Sequence, residues 1–69
     1  MDFSIECEQE DDGRWLAEVP QLPGVMSYGI TADNAMATVE ALALRTMAER
    51  LESRESRPVA IHISIPAAA

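Results

Sequence analysis

The sequence predicts a two-layer α+β domain of order β-β-β-α-β, a mostly antiparallel sheet with one long helix on one face. Three observations predict it. Apolar residues alternate with polar ones at 3–8 and again at 59–65, the period of strands with one buried face. Between these lies a long run rich in the helix formers Ala, Met, Leu, Glu and Arg. Two turn signatures, "EDDGR" at 10–14 and "LPGV" at 22–25, stand where antiparallel strands reverse.

Each element follows from its residues. In 3–8, Phe3, Ile5 and Cys7 face one way and Ser4, Glu6 and Glu8 the other. Aspartates that bond local amides and a glycine free to take positive φ then make a hairpin turn. The second strand runs from Arg14 to Val19, with Trp15, Ala17 and Val19 opposite Leu16 and Glu18. Pro20 has no amide hydrogen and stops it. Pro23 and Gly24 suit the two central positions of a type II turn, leading into a third strand at about 25–30. There Met26, Tyr28 and Ile30 share one face, and Gly29 relaxes the backbone near the end.

Thr31 is a helix N-cap, its hydroxyl placed for the amide of Asp33 or Asn34, and Asp33 suits the positive helix end. The helix is expected from Ala32 to about Ser53, some 33 Å long at about 1.5 Å per residue. At 100° per residue, Ala35, Met36, Val39, Leu42, Ala43, Thr46 and Met47 form the face that packs on the sheet. A second stripe, Ala37, Ala41, Leu44 and Ala48, lies well away from it. It reads either as a solvated face or as a close contact with another chain. "SRESRP" at 53–58 ends the helix, since the residue before Pro58 is driven towards extended conformations. Val59, Ile61, Ile63 and Ile65 then alternate with Ala60, His62 and Ser64, the cleanest strand pattern in the chain. The domain spans 1–66 and residues 67–69 form a frayed tail.

One domain of 69 residues buries only about 60% of its unfolded surface. The lone Cys7 allows no internal disulfide and reads as a small core residue. Extra stability is expected from a dimer, a tetramer or another partner. No secretion signal or long apolar run is present, so a soluble cytoplasmic protein is expected. Twelve acidic residues against five arginines give a net charge of −7, which disfavours nucleic acid and anionic membranes and favours a basic partner. Residues 1–18 hold Asp2, Glu6, Glu8, Glu10, Asp11, Asp12 and Glu18 against Arg14 alone, six of those seven charges.

One helix covers one side of a sheet. The other side, with Leu16, Met26, Tyr28 and Ala60 among Glu6, Glu8, Glu18, His62 and Ser64, is left open for an oligomer or partner. No catalytic, cofactor or metal site is expected. Glu6, Glu8 and Glu18 form the best carboxylate set, but alternating acids are also the ordinary outer face of a hairpin. His62 has no orienting group, and Ser4, Ser27 and Ser64 lack a nucleophile context.

Residues 12–42 resemble the HicB-like antitoxin family. The pattern is Gly13, Trp15 and Ala17, then Pro20, Leu22, Pro23 and Gly24, then Gly29 and Thr31, then Asp33, Ala35, Glu40 and Ala41. Val25 stands where the family often has cysteine, and Asn34 replaces an acidic residue. The resemblance implies a fold like a double-stranded-RNA-binding domain or a degraded ribonuclease H. It also implies a non-catalytic antitoxin that occludes a small basic mRNA-cleaving toxin of the HicA type. Leu16, Met26, Tyr28, Ala37, Ala41, Leu44 and Ala48 would form partner or oligomer contacts; Glu6, Glu8, Glu10, Asp11, Asp12 and Glu18 would steer the toxin. The chain stops at Ala69 after its last strand, so the operator-binding extension of many such antitoxins is not expected. A self-associating structural module without a toxin is the alternative reading, and a residual hydrolase using the glutamates a weaker one.

Overall fold

The computed structural model describes residues 1–53 and 57–66. Its elements are β1 (Asp2–Ser4), β2 (Glu6–Gln9), β3 (Trp15–Glu18), β4 (Met26–Gly29), α1 (Ala32–Glu52) and β5 (His62–Ser64). The fold is α+β: a three-stranded antiparallel sheet in the order β2-β3-β4, a parallel pair β1-β5, and one long helix.

The expected first strand, 3–8, is two strands separated by Ile5. The cause is a change of partner and not a turn, since Phe3, Ile5 and Cys7 still point inward as buried or half-buried side chains. The Glu10 amide donates to the Arg14 carbonyl (2.7 Å), which places the even-numbered backbone groups of this stretch on the β3 side. The Ile5 amide instead donates to the Ser64 carbonyl (2.9 Å), and the His62 amide to the Met1 carbonyl (3.0 Å). Odd-numbered groups therefore face β5, and β3 and β5 flank one extended segment on opposite edges.

The hairpin turn is closed by the Gly13 amide on the Glu10 carbonyl (3.0 Å), with Gly13 at φ 91°. The Pro-rich segment forms two successive turns. The Leu22 amide reaches back to Val19 and the Val25 amide to Leu22, each at 3.0 Å, with a proline following the acceptor residue each time. Gly24 at φ 87° supplies the left-handed residue that a type II turn requires. The turns bring Val19 N–H onto the Val25 carbonyl (3.0 Å) and bury Val19, Leu22 and Val25 in the core.

Thr31 caps α1 by accepting from the Asn34 amide (3.0 Å). The helix lies over β4, β3 and β2, burying Ala35, Met36, Val39, Ala43 and Met47; Leu42 and Thr46 of the expected face are half-buried. Gly29 is set against its first turn. A Cβ there would lie 2.6 Å from the Ala35 nitrogen and 2.6 Å from Asn34 Oδ1. Gly29 is thus required for close approach of strand and helix, and not as a relaxed strand end.

The last strand departs most from expectation. Of 59–65 only His62–Ser64 are strand, running parallel to β1, and Val59, Ile61 and Ile65 are exposed at 38%, 39% and 54%. Two causes combine: only Asp2–Ser4 are available as a partner, and among the described residues the backbone of α1 does not reach over β5. The expected helix breaker is described only in part, with Ser53 as the C-cap and 54–56 outside the described residues; the expected tail, 67–69, lies outside them as well.

Gly29→Ala is expected to lower stability by about 1–3 kcal/mol, the cost of overpacking against backbone, and Thr31→Ala by about 1 kcal/mol. Urea denaturation followed by circular dichroism measures both; a Gly29→Ala chain as stable as the parent would show that strand and helix can separate without cost.

Candidate functional site

The face of the sheet away from α1 is built by strand register. Glu6, Glu18 and Met26 stand in one row across β2, β3 and β4, and Glu8, Leu16 and Tyr28 in the next. Alternation puts these side chains outward, because Cys7, Ala17, Trp15 and Val19 occupy the inward positions. Met26 and Tyr28 are 45% and 47% exposed; Leu16 and Glu18 are half-buried.

A depression of about 170 Å³ lies on this face, lined by Glu6, Cys7, Glu8, Leu16 and Glu18. Glu6 and Glu18 are direct cross-strand partners, an arrangement in which like charges repel. On the far side Arg14 stacks over the Tyr28 ring at 4.3 Å while its Nε donates to Asp12 at 2.7 Å. Asp12 also accepts from the Arg14 amide (3.1 Å). That backbone bond first, and then the guanidinium bond, hold the Asp12 carboxyl below its ordinary value. The pair orients Arg14 and the ring, though an exposed pair of this kind adds little stability.

Leu16, Met26 and Tyr28 are brought together with Glu6, Glu8 and Glu18. Glu10, Asp11 and Asp12 lie at the hairpin end of the same sheet, with Asp12 already engaged by Arg14. The helix residues do not join them. Ala37, Leu44 and Ala48 are exposed and Ala41 is half-buried, but α1 occupies the opposite layer, so the two sets are separate surfaces. Among the described residues no group of three or more His, Cys, Asp or Glu side chains is placed to hold a metal ion. None of the described helices is long and apolar enough to cross a membrane.

Gln21 was not anticipated. Its carboxamide accepts from the Ser4 amide (3.1 Å) and donates to the Ser4 hydroxyl (3.0 Å). Ser4 N–H points to the β3 side, where Pro20 has ended the strand, so a side chain completes the ladder that backbone no longer can. No local signal marks this, because the partner lies seventeen positions earlier.

Comparison of the chain with protein-family models, with curated proteins and with solved structures finds no match.

Cys7 is half-buried against the core, and burial pushes its thiol above its ordinary value. Since the thiolate is the reactive form, alkylation by iodoacetamide at pH 8 should be several-fold slower in the folded chain than in urea. Equal rates would place the thiol in solvent.

Proposed function

We propose that this chain is a binding domain of antitoxin type, which occludes a small basic mRNA-cleaving toxin like those paired with HicB-like antitoxins. The observation that carries the reading is the outer sheet face, where the facing carboxylates of Glu6 and Glu18, with Glu8 beside them, border an apolar strip of Leu16, Met26 and Tyr28. Cationic side chains relieve the repulsion between the two glutamates, and the depression between them has room for one arginine or lysine head. The apolar strip supplies the area that charge alone does not, because fixed charges set encounter rate and register more than affinity. The net charge of −7 adds long-range attraction for a basic partner. In this reading the chain works by covering a surface, without catalysis or cofactor, in the cytoplasm.

The sequence pattern from Gly13 to Ala41 supports the same reading. Its Pro-x-Leu-Pro-Gly and Gly-x-Thr portions carry distinct structural duties here, one making the double turn and the other joining β4 to α1.

Co-expression with a HicA-type toxin is expected to restore growth and to yield a complex that co-purifies. Glu6→Lys with Glu18→Lys should weaken that complex at least about tenfold at low salt, mainly through slower association; Tyr28→Ala should speed dissociation. Lack of rescue by soluble, folded chain would remove the proposal. The alternative, a self-associating module with no toxin, predicts neither rescue of growth nor a co-purifying complex.

A further inference from the structure

We infer that the outer edge of β5 is a second interaction surface and that its partner is another copy of this chain, paired antiparallel about a twofold axis at Ile63. The hydrogen bonds decide which groups are free. Ala60 and Ser64 accept on the β1 side, from the Met1 amino group and the Ile5 amide, and His62 donates there to Met1. Strand alternation then turns the N–H and C=O of Ile61, Ile63 and Ile65 the other way, where among the described residues nothing pairs with them. Such an edge is a template for another strand.

The pattern of this edge is self-complementary, as a twofold interface requires. With Ile63 opposite Ile63 of the second copy, each donates to the other's carbonyl. Ile61 and Ile65 of the second copy exchange the same pair of bonds, and so do Ile65 and Ile61 of the second copy. The side chains match too. All three isoleucines lie on one sheet face, so the pairing sets isoleucine against isoleucine and covers Ile61 and Ile65, now 39% and 54% exposed.

Charge selects a copy of this chain over a basic protein. Two chains of net charge −7 repel, yet 59–65 carries no carboxylate, and Asp2, in register with His62, lies one strand further in, so this edge is where two copies can approach. The outer face of β2 and β3, with three glutamates, cannot meet itself in that way. The strand itself is short, three residues, but no charged or proline device closes the edge: 59–65 has no lysine or acidic residue, and Pro58 and Pro66 bracket the segment without interrupting it. The free edge of β4 is a weaker template, since the Tyr28 carbonyl already accepts from the Ser27 hydroxyl (3.3 Å).

Light scattering coupled to size exclusion should report a dimer for the full chain at about 100 μM. Ile61→Lys with Ile65→Lys places lysine opposite lysine and should give a monomer of unchanged circular dichroism. Register is tested separately on a Cys7→Ser background, where His62→Cys and Ser64→Cys chains are mixed and mildly oxidised. Residues 62 and 64 face each other across the proposed axis at about 4.5 Å between Cα atoms, within disulfide reach. The mixture should give a covalent dimer in several-fold higher yield than either variant alone. A monomeric parent chain, a dimer that survives the double lysine substitution, or a mixture that cross-links no better than the single variants would overturn the inference. Toxin binding is read in a different assay and on a different face, so either proposal can fail without the other.

Discussion

The constraint on which the rest depends is the extended segment from Asp2 to Gln9, which holds two strands on its opposite edges. Its even-numbered backbone groups from Glu6 onward bind β3, and its odd-numbered groups up to Ile5 bind β5. Because alternation carries through Ile5, the side chains of Phe3, Ile5 and Cys7 stay on one side and enter one core. A single register slip would reverse the faces and send Glu6 and Glu8 inward. The outer face therefore owes its composition to the same alternation that builds the core.

The Pro-rich segment solves a problem that this segment creates. β3 reaches only as far as Glu18, so the Ser4 amide faces a gap on the β3 side. Pro20 cannot fill it, and an amide left without a partner costs free energy in proportion to its burial. Gln21, inside the first of the two turns, reaches across with its carboxamide, while Leu22 one residue later is 1% exposed in the core. Adjacent residues of one turn thus serve ladder and core at once. What identifies the segment in the sequence, its prolines and glycine, is the part that shapes the backbone, whereas its most specific long-range contact is made by the glutamine between them.

Much of this was legible in the sequence because it is local. The hairpin at Gly13, the type II turn at Gly24, the cap at Thr31 and the buried face of α1 each follow from residues within a few positions of one another. The outer face was legible for the same reason, since period-two alternation alone separates Leu16 and Glu18 from Ala17. What was not legible depends on distant partners. The break at Ile5 reflects which strand lies on which side, and the shortness of β5 reflects how little of β1 is available to it. Both are set by the tertiary arrangement, although 59–65 has the best strand pattern in the chain. Gly29 was legible as a glycine but not as a close approach, because Ala35 meets it only when α1 is laid back across β4.

The alternation that fails to give a long strand at β5 is informative in another way. Val59, Ile61 and Ile65, in a segment without carboxylates, are costly to leave in water on a chain this small, while Ile63 beside them packs against the core. The acidic outer face carries the opposite composition, charge around a narrow apolar strip. Two groups of apolar residues thus differ in electrostatic setting: Leu16, Met26 and Tyr28 stand beside glutamates, and Ile61 and Ile65 beside none. A single shared interface would require one of these surfaces to work against its own charge. In the proposed reading, two separate interfaces would let a copy of the chain and a basic partner bind together, each where the local charge favours it.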